Sequence, residues 1–194
     1  DLNIDFTFNA SRNWEKILEL ISGEDLPNNK WFIGEPLSVL YNYEKLGVWQ
    51  YGEEEDAAKY NASVGDLKIK DQDGDGTISA VKDRVILGQE RPKWIASLGA
   101  NIQYKNFDFS FNINSRWGYS FNLAPFNDVV LDGQRWLPAV DYWTPDNPTN
   151  NYPKADQSNG WDTYRSANGY QKGDHIKLQD VTVGYSFDKL LSKT

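Results

Sequence analysis

The sequence contains no cysteine and no methionine among its 194 residues. The absence of cysteine excludes disulfide bonds, zinc thiolate sites and thiol catalysis. No apolar run approaches the ~18 residues of a membrane-spanning helix. Basic clusters are missing as well, and the formal net charge is -8. Because nucleic acids are bound by basic surfaces, the composition argues against a nucleic-acid partner and favours a cationic ligand or a divalent metal.

Apolar and polar residues alternate with period two in several segments, the pattern of strands with one apolar face. The clearest segment runs from Trp94 to Lys105, where Ile95 is the single apolar residue on the polar side. Residues 107–114 repeat the pattern, and Lys105-Asn106 is predicted to form the tight turn between the two strands.

The same alternation occurs at residues 2–11 and 37–43, and again near the end of the chain. There it changes parity, which predicts a β-bulge near Gln179-Asp180. The residue pattern predicts one helix, over Ser11 to Ser22, with Gly23 as its stop.

Both a soluble β-sandwich and a membrane β-barrel show such alternation, so the periodicity leaves the two open. The hairpin favours a barrel because its strands have about ten residues and carry aromatic residues near their ends. Long polar stretches separate the strands at residues 52–66 and 122–173. The sequence therefore predicts an all-β fold, an antiparallel transmembrane β-barrel segment with long extracellular loops and one short helix.

One loop has the residue pattern of a calcium site. Residues 71–78 read DQDGDGTI, which resembles the first half of an EF-hand loop. Position twelve of that loop holds Lys82 in place of the bidentate glutamate. The candidate ligands of a structural Ca²⁺ are Asp71, Asp73, Asp75, Thr77 through its backbone carbonyl, and Asp83. The alternative is an ordinary Asp/Gly turn without metal.

Other candidate residues point to no catalysis. The single histidine, His175, has no nucleophile and acid beside it in sequence, and the acidic run of residues 53–56 is typical of a solvated loop. Trp136 and Trp161 lie in the long polar stretches, where they are candidates for ligand or partner contacts, whereas internal packing is the preferred interpretation for Trp143. The sequence predicts that the protein is not an enzyme.

The order of motifs resembles the SusC/RagA-like TonB-dependent outer-membrane transporters of Bacteroidetes. The motifs are IGEPLSVLYNYEKLGVWQ at 33–50, GDLKIKDQDGDGTIS at 65–79, DRVILGQERPKW at 83–94, NIQYKNFDFSFNI at 101–113, YWTPDNPTNNYPKA at 142–155 and GDHIKLQDVTVGYSF at 173–187. The resemblance implies that residues 1–194 are part of one β-barrel domain, in the carboxy-terminal third of a larger transporter whose plug and final strands are absent.

By this resemblance, residues 1–12, 92–104 and 107–116 are wall strands in the outer membrane of a Gram-negative bacterium, and their long loops are extracellular. The implied function is import of an oligosaccharide or peptide. The implied partners are a SusD-like surface lipoprotein, the TonB complex through the missing amino-terminal region, and membrane lipid. The alternative from another class is a secreted soluble β-sandwich that acts as a carbohydrate-binding or adhesion module with a calcium loop.

Overall fold

The computed structural model describes residues 2–123, 140–154 and 164–187. It contains ten strands, one α-helix and two 3-10 helices, counted over these residues. The strands are β1 (Leu2–Arg12), β2 (Val39–Tyr43), β3 (Lys45–Val48), β4 (Leu67–Ile69), β5 (Arg84–Gln89), β6 (Trp94–Tyr104), β7 (Phe107–Trp117), β8 (Ser120–Asn122), β9 (Tyr170–Lys172) and β10 (His175–Tyr185). The helices are α1 (Glu54–Lys59) and the 3-10 turns Pro27–Asn29 and Arg165–Gly169.

The four long strands form one antiparallel sheet in the order β1-β6-β7-β10. Each has 11 residues, and the strands predicted from the alternation at residues 2–11, in the hairpin and near the end of the chain are confirmed as strands. Within the hairpin Lys105 adopts a positive φ of 55°, as a tight turn between twisted strands requires. At that end of the sheet β6 and β7 are therefore connected by a turn of only two residues.

The register places apolar residues opposite apolar residues across all four strands. Leu98 lies between Phe8 on β1 and Ile113 on β7, and Ile113 in turn pairs with Leu178 on β10. The opposite face is polar: Ser97 lies between Asn9 and Asn114. The sheet thus has one continuous apolar face and one continuous polar face.

A β-bulge keeps the last strand in phase with this division. The register of β10 against β7 shifts between Leu178 and Asp180, and beyond the shift Asp180 pairs with Asn112 on the polar face. The additional residue, Gln179, contacts the Asn114 side chain. Without the shift, Asp180 would fall on the apolar face, so the bulge predicted from the change of parity is confirmed and has a physical reason.

A second compact unit is made of residues 17–90 and 120–171, while residues 1–16, 91–119 and 172–194 belong to the sheet unit. The second unit contains the short pairs β2-β5, β3-β4 and β8-β9. Its core cluster contains Tyr43, Leu67, Ile69 and Ala167, so it joins residues that are far apart in the chain.

Two local expectations were wrong. Ser11 and Arg12 continue β1 by pairing with Ile95 and Trp94, and no helix forms over 11–22. The α-helix occupies residues 54–59, and its first turn lies in the acidic run of residues 53–56 that was interpreted as a loop. Three carboxylates in its first turn are favourable there because they lie near the positive end of the helix dipole.

The alternation at residues 37–43 is also interrupted. Val39, Leu40 and Tyr43 are buried, and the register of β2 against β5 shifts between Leu40 and Tyr41. The two consecutive buried residues reflect this irregularity. Among the described residues, none of the helices has the length and apolar character needed to cross a membrane.

Candidate functional site

The aspartate loop connects β4 to β5, and the structure brings three of its carboxylates together. Asp71, Asp73 and Asp83 each offer an oxygen atom, and these oxygens lie within 4.8 Å of one another. Carboxylate oxygens in a flexible loop are the ligands that Ca²⁺ prefers. These three side chains are therefore the residues of the loop that could hold a hard cation.

The loop is folded around Asp71 by backbone hydrogen bonds. The backbone N–H groups of Gly74 and Gly76 donate to its carboxylate at 2.7 and 2.8 Å. Both glycines have positive φ values of 72° and 84°, which only glycine adopts without strain. The Gly76 bond is the main cause that lowers the pKa of Asp71, so this side chain is a carboxylate at neutral pH.

Asp83 lies at the C-terminal end of the loop, and it is fully buried. Its two oxygens accept hydrogen bonds from the backbone N–H groups of Gln72 at 2.8 Å and Ser79 at 2.6 Å. The carboxylate therefore holds both ends of the loop together. Asp83 follows position twelve of the motif by one residue, yet it reaches the cluster that the motif predicts.

Asp75 has different partners. Its carboxylate accepts hydrogen bonds from the Thr77 hydroxyl at 2.6 Å and from the Lys82 ammonium at 2.5 Å. The Lys82 ammonium also lies 3.0 Å from an oxygen of Asp73. The hydrogen bond from Lys82 is the main cause that lowers the pKa of Asp75 to about 2, and its two aspartate partners raise the pKa of Lys82.

Lys82 therefore places a positive charge beside the carboxylates at the motif position where an EF-hand has a glutamate. Sequence reasoning treated Lys82 only as a mismatch. The presence of a lysine seven residues after Asp75 indicated that a positive charge lies near the loop in sequence. Nothing in the spacing showed that the lysine side chain contacts the aspartates.

The remaining candidate residues have separate environments. Trp143 is buried, and its indole N–H donates to the Gln50 side chain at 3.2 Å, which confirms internal packing. His175 Nδ1 lies 2.8 Å from the Gly173 carbonyl and 3.3 Å from the Tyr119 hydroxyl, with no nucleophile paired to it among the described residues. Trp136 and Trp161 lie outside the described residues.

The apolar face of the sheet is the second functional feature. Its large side chains remain exposed: Phe6, Phe8 and Val183 have relative exposures of 68%, 70% and 72%. Eleven residues at about 3.4 Å each, tilted by about 45°, span roughly 25 Å, which is the height of the apolar band of an outer-membrane barrel. Such a face needs an apolar environment that the described residues do not supply.

Aromatic side chains mark both ends of this face. At the hairpin end the rings of Phe107 and Tyr185 are 4.6 Å apart. At the other end Trp94 pairs with Trp117, and the Arg12 guanidinium lies 5.1 Å from the Trp94 ring. This arrangement matches the aromatic girdles at the two interfaces of a membrane barrel.

A polar group on the apolar face is satisfied within the sheet. Ser115 is buried, and its hydroxyl donates to the carbonyl of Ala96 at 3.1 Å. A hydroxyl without a partner would be costly in hydrocarbon. The exception in the apolar pattern is therefore compatible with contact with lipid.

Comparisons with known proteins agree with these features, although no family model matches the sequence. TonB-dependent receptor P26 of Formosa agariphila is 32% identical over 93% of this chain. TonB-dependent receptor P3 of the same organism is 27% identical over 99% of the chain. The chain spans only 20% and 21% of the lengths of these two relatives.

Solved structures show the same fold. A structure of the RagAB peptide transporter aligns with 99% of this chain and 21% of its own, with a TM-score of 0.65 and 18% identity. The RagAB peptide importer in the closed-closed state aligns with 95% of this chain and 21% of its own, with a TM-score of 0.56 and 20% identity. The relatives are receptors and transporters, not enzymes.

The resemblance drawn from the motifs is thus confirmed at the level of the TonB-dependent receptors: the chain is homologous to them, it corresponds to about a fifth of their length, and it has the antiparallel β fold of the RagAB structures.

Proposed function

We propose that this chain is a wall and loop portion of a TonB-dependent transporter that imports an oligosaccharide or a peptide across the outer membrane of a Gram-negative bacterium. The observation that carries the proposal is the continuous, exposed apolar face shared by four 11-residue strands, with a polar face behind it. In a barrel the apolar face contacts lipid and the polar face lines the lumen.

The positions of the connections at the two ends of the sheet support the expected arrangement of loops. β1 and β6 are joined through 81 intervening residues, 13–93, at the end opposite the Lys105-Asn106 turn, and β7 and β10 are joined at that same end. Outer-membrane barrels have short periplasmic turns and long extracellular loops. We therefore assign the Lys105-Asn106 turn to the periplasmic side and the long connection of residues 13–93 to the extracellular side.

The partners follow from the same proposal. A TonB complex would supply energy for the import, and a SusD-like surface lipoprotein would cover the loops. The similarity to a peptide transporter supports a peptide substrate, and the sequence motifs leave an oligosaccharide equally suitable. In this function the complete transporter binds a nutrient and carries it across the membrane, and no covalent bond is made or broken.

Dependence on a membrane mimetic tests the proposal. We expect the 194-residue chain to aggregate in buffer and to fold with β circular dichroism when detergent micelles or lipid vesicles cover its apolar face, because water leaves that face and the edges of β1 and β10 unprotected. Analytical ultracentrifugation with and without detergent measures the outcome. A monomeric chain with cooperative unfolding in plain buffer would support the soluble β-sandwich module instead.

We further propose that the aspartate loop binds a structural Ca²⁺ through Asp71, Asp73 and Asp83, with Asp75 and Thr77 completing the set as the motif predicts. The proximity of the three carboxylates supports this role. Lys82 opposes it, because a cation at this point would compete with the ammonium that contacts Asp73 and Asp75. The site is therefore expected to be weak in the native sequence.

This competition gives a prediction for Lys82→Glu. The substitution removes the competing charge and places a glutamate at position twelve, so the Ca²⁺ affinity should rise by on the order of tenfold or more. Isothermal titration with Ca²⁺ measures the affinity, and Lys82→Gln separates loss of the lysine charge from gain of a ligand. If neither the native protein nor Lys82→Glu bound Ca²⁺ measurably, the loop would be an ordinary Asp/Gly turn without a metal site.

A further inference from the structure

One lysine in the second compact unit has no counter-charge among the residues that the structure describes. Lys45, at the start of β3, is only partly exposed, and it forms no ion pair with any described carboxylate. The neighbouring Glu44 is 3.0 Å from Lys70 and accepts a hydrogen bond from Gln72, so its charge is already used. Removing an ammonium from water without a compensating negative charge is unfavourable.

The ammonium is held by neutral groups from two other segments. Lys45 Nζ donates to the Asn151 carbonyl at 2.5 Å and to Asn168 Oδ1 at 2.6 Å, and it lies 5.8 Å from the Tyr152 ring. An ammonium has three hydrogens, so one remains for a further acceptor. Burial lowers the pKa of Lys45 to about 8, which shows that these neutral partners do not replace the lost hydration.

Asn168 adds a second unsatisfied donor at the same place. Its side chain is buried, with 7% relative exposure, and no described residue accepts a hydrogen bond from its Nδ2. Asn168 Oδ1 accepts a hydrogen bond from the Lys45 ammonium, and Oδ1 and Nδ2 are bonded to the same carbon. The amide hydrogens on Nδ2 therefore lie beside the ammonium. A buried amide donor without a partner is unfavourable, so the site favours an acceptor that the described residues do not supply.

The neighbouring segment is fixed before any ligand binds. The Asn151 side chain donates to Asp141 at 2.7 Å, and the Thr149 hydroxyl donates to the same carboxylate at 2.5 Å. These hydrogen bonds lower the pKa of Asp141, and the bond from Thr149 is the largest cause. The negative charge of Asp141 therefore stabilises its own loop. The Asn151 carbonyl that holds Lys45 is therefore positioned by a local network.

From this geometry we propose that Lys45 and Asn168 form a subsite for a carboxylate group. One carboxylate oxygen accepts the remaining hydrogen of the Lys45 ammonium, and the other accepts an amide hydrogen of Asn168. A carboxylate supplies both the missing negative charge and two acceptors in a fixed geometry. The natural source is a peptide terminus or an acidic sugar, and this identification rests on the proposed import function, whereas binding of the carboxylate group does not.

Acetate is the probe, and acetamide is its neutral control. The 194-residue chain in detergent micelles, or in buffer if it is soluble there, is titrated with each at constant ionic strength. We expect acetate to raise the melting temperature by mass action and to move the pKa of Lys45 from about 8 towards the ordinary lysine range, as measured by NMR of labelled lysine. Acetamide should do neither. Equal responses to acetate and acetamide would overturn the subsite.

Two variants keep the test decisive. Lys45→Met should abolish the response to acetate, and persistence of that response would place the anion elsewhere, as an adventitious ion only. Asn168→Asp places a carboxylate within reach of the ammonium and should raise the pKa of Lys45 without acetate, while removing the acetate response. An unchanged Lys45 pKa in Asn168→Asp would contradict the proposed counter-charge.

The two sources are distinguished by matched pairs of ligands. A dipeptide is compared with its carboxy-terminal amide, and glucuronate is compared with glucose. A tighter response to the dipeptide than to its amide assigns the site to peptides, and a tighter response to glucuronate than to glucose assigns it to acidic sugars. If acetate binds but the two ligands of each pair bind equally, the site is an adventitious anion site, and the proposed subsite for nutrient carboxylates is overturned.

Discussion

Leu98→Arg is expected to destabilise the protein in a lipid bilayer by about 2–4 kcal/mol, the cost of an arginine at the midplane of a barrel's lipid face. Leu98 is the fifth of 11 residues in β6, and it pairs with Phe8 and Ile113 on the apolar face. Its side chain therefore lies near the centre of the apolar band. Denaturant unfolding of the protein in lipid vesicles measures the change in free energy.

The adjacent residue provides a matched control. Ser97 lies at the same depth in the same strand, but it pairs with Asn9 and Asn114 on the polar face. Ser97→Arg should change the free energy of unfolding far less, because a lumen-facing arginine remains in contact with water. Similar losses for the two variants would contradict the assignment of the faces.

Depth gives a further test of the same assignment. Tyr104 lies at the hairpin end of the apolar face, opposite Leu2 and Phe107. An arginine at the interface costs about 0–1 kcal/mol in a barrel, so Tyr104→Arg should be much milder than Leu98→Arg apart from the loss of the ring. Equal losses for Tyr104→Arg and Leu98→Arg would contradict the placement of Tyr104 at the interface.

The sheet could be predicted from sequence because its determinants are local. Period-two alternation identifies the two faces of each strand, and the Lys105-Asn106 turn joins neighbouring strands with minimal connection. The bulge at Gln179 was visible for the same reason, since a change of parity within one strand requires an additional residue.

The helix error shows where local patterns fail. Residues 11–22 contain a helical spacing of apolar residues, but Ser11 and Arg12 extend β1 because β6 offers paired backbone groups opposite them. Strand pairing decided the conformation, and propensity did not. The isolated bridge between Ile17 and Ile33 then replaces helical hydrogen bonds in the following segment.

The second compact unit could not be predicted because its contacts join distant residues. Lys45 and Asn168 are 123 positions apart, and Asn42 bonds to Ser166 across 124. No spacing rule connects such pairs. The aspartate loop was predictable only in part, since the motif identified Asp71 and Asp73 while the burial of Asp83 depends on the closure of the whole loop.

Asp83→Ala is expected to destabilise the second compact unit by about 2–4 kcal/mol. Asp83 is fully buried and accepts the backbone N–H groups of Gln72 and Ser79. Hydrogen bonds to charged groups contribute about 1.5–3 kcal/mol, and alanine would leave two donors without partners. Hydrogen exchange measures the effect directly, because the Gln72 and Ser79 amides should lose most of their protection.

The control variant is Asp73→Ala, which removes another carboxylate of the same cluster. Asp73 is 36% exposed, and its loss releases an ion pair with Lys82 while leaving the amides of Gln72 and Ser79 bound to Asp83. Exposed ion pairs contribute little, so Asp73→Ala should keep the protection of both amides. If Asp83 acted only as a cation ligand, chelation of Ca²⁺ in the native protein would reproduce the loss of protection seen in Asp83→Ala. Retained protection after chelation, together with its loss in Asp83→Ala, would show that this carboxylate holds the loop closed by its own hydrogen bonds and that any bound cation adds to a loop already formed.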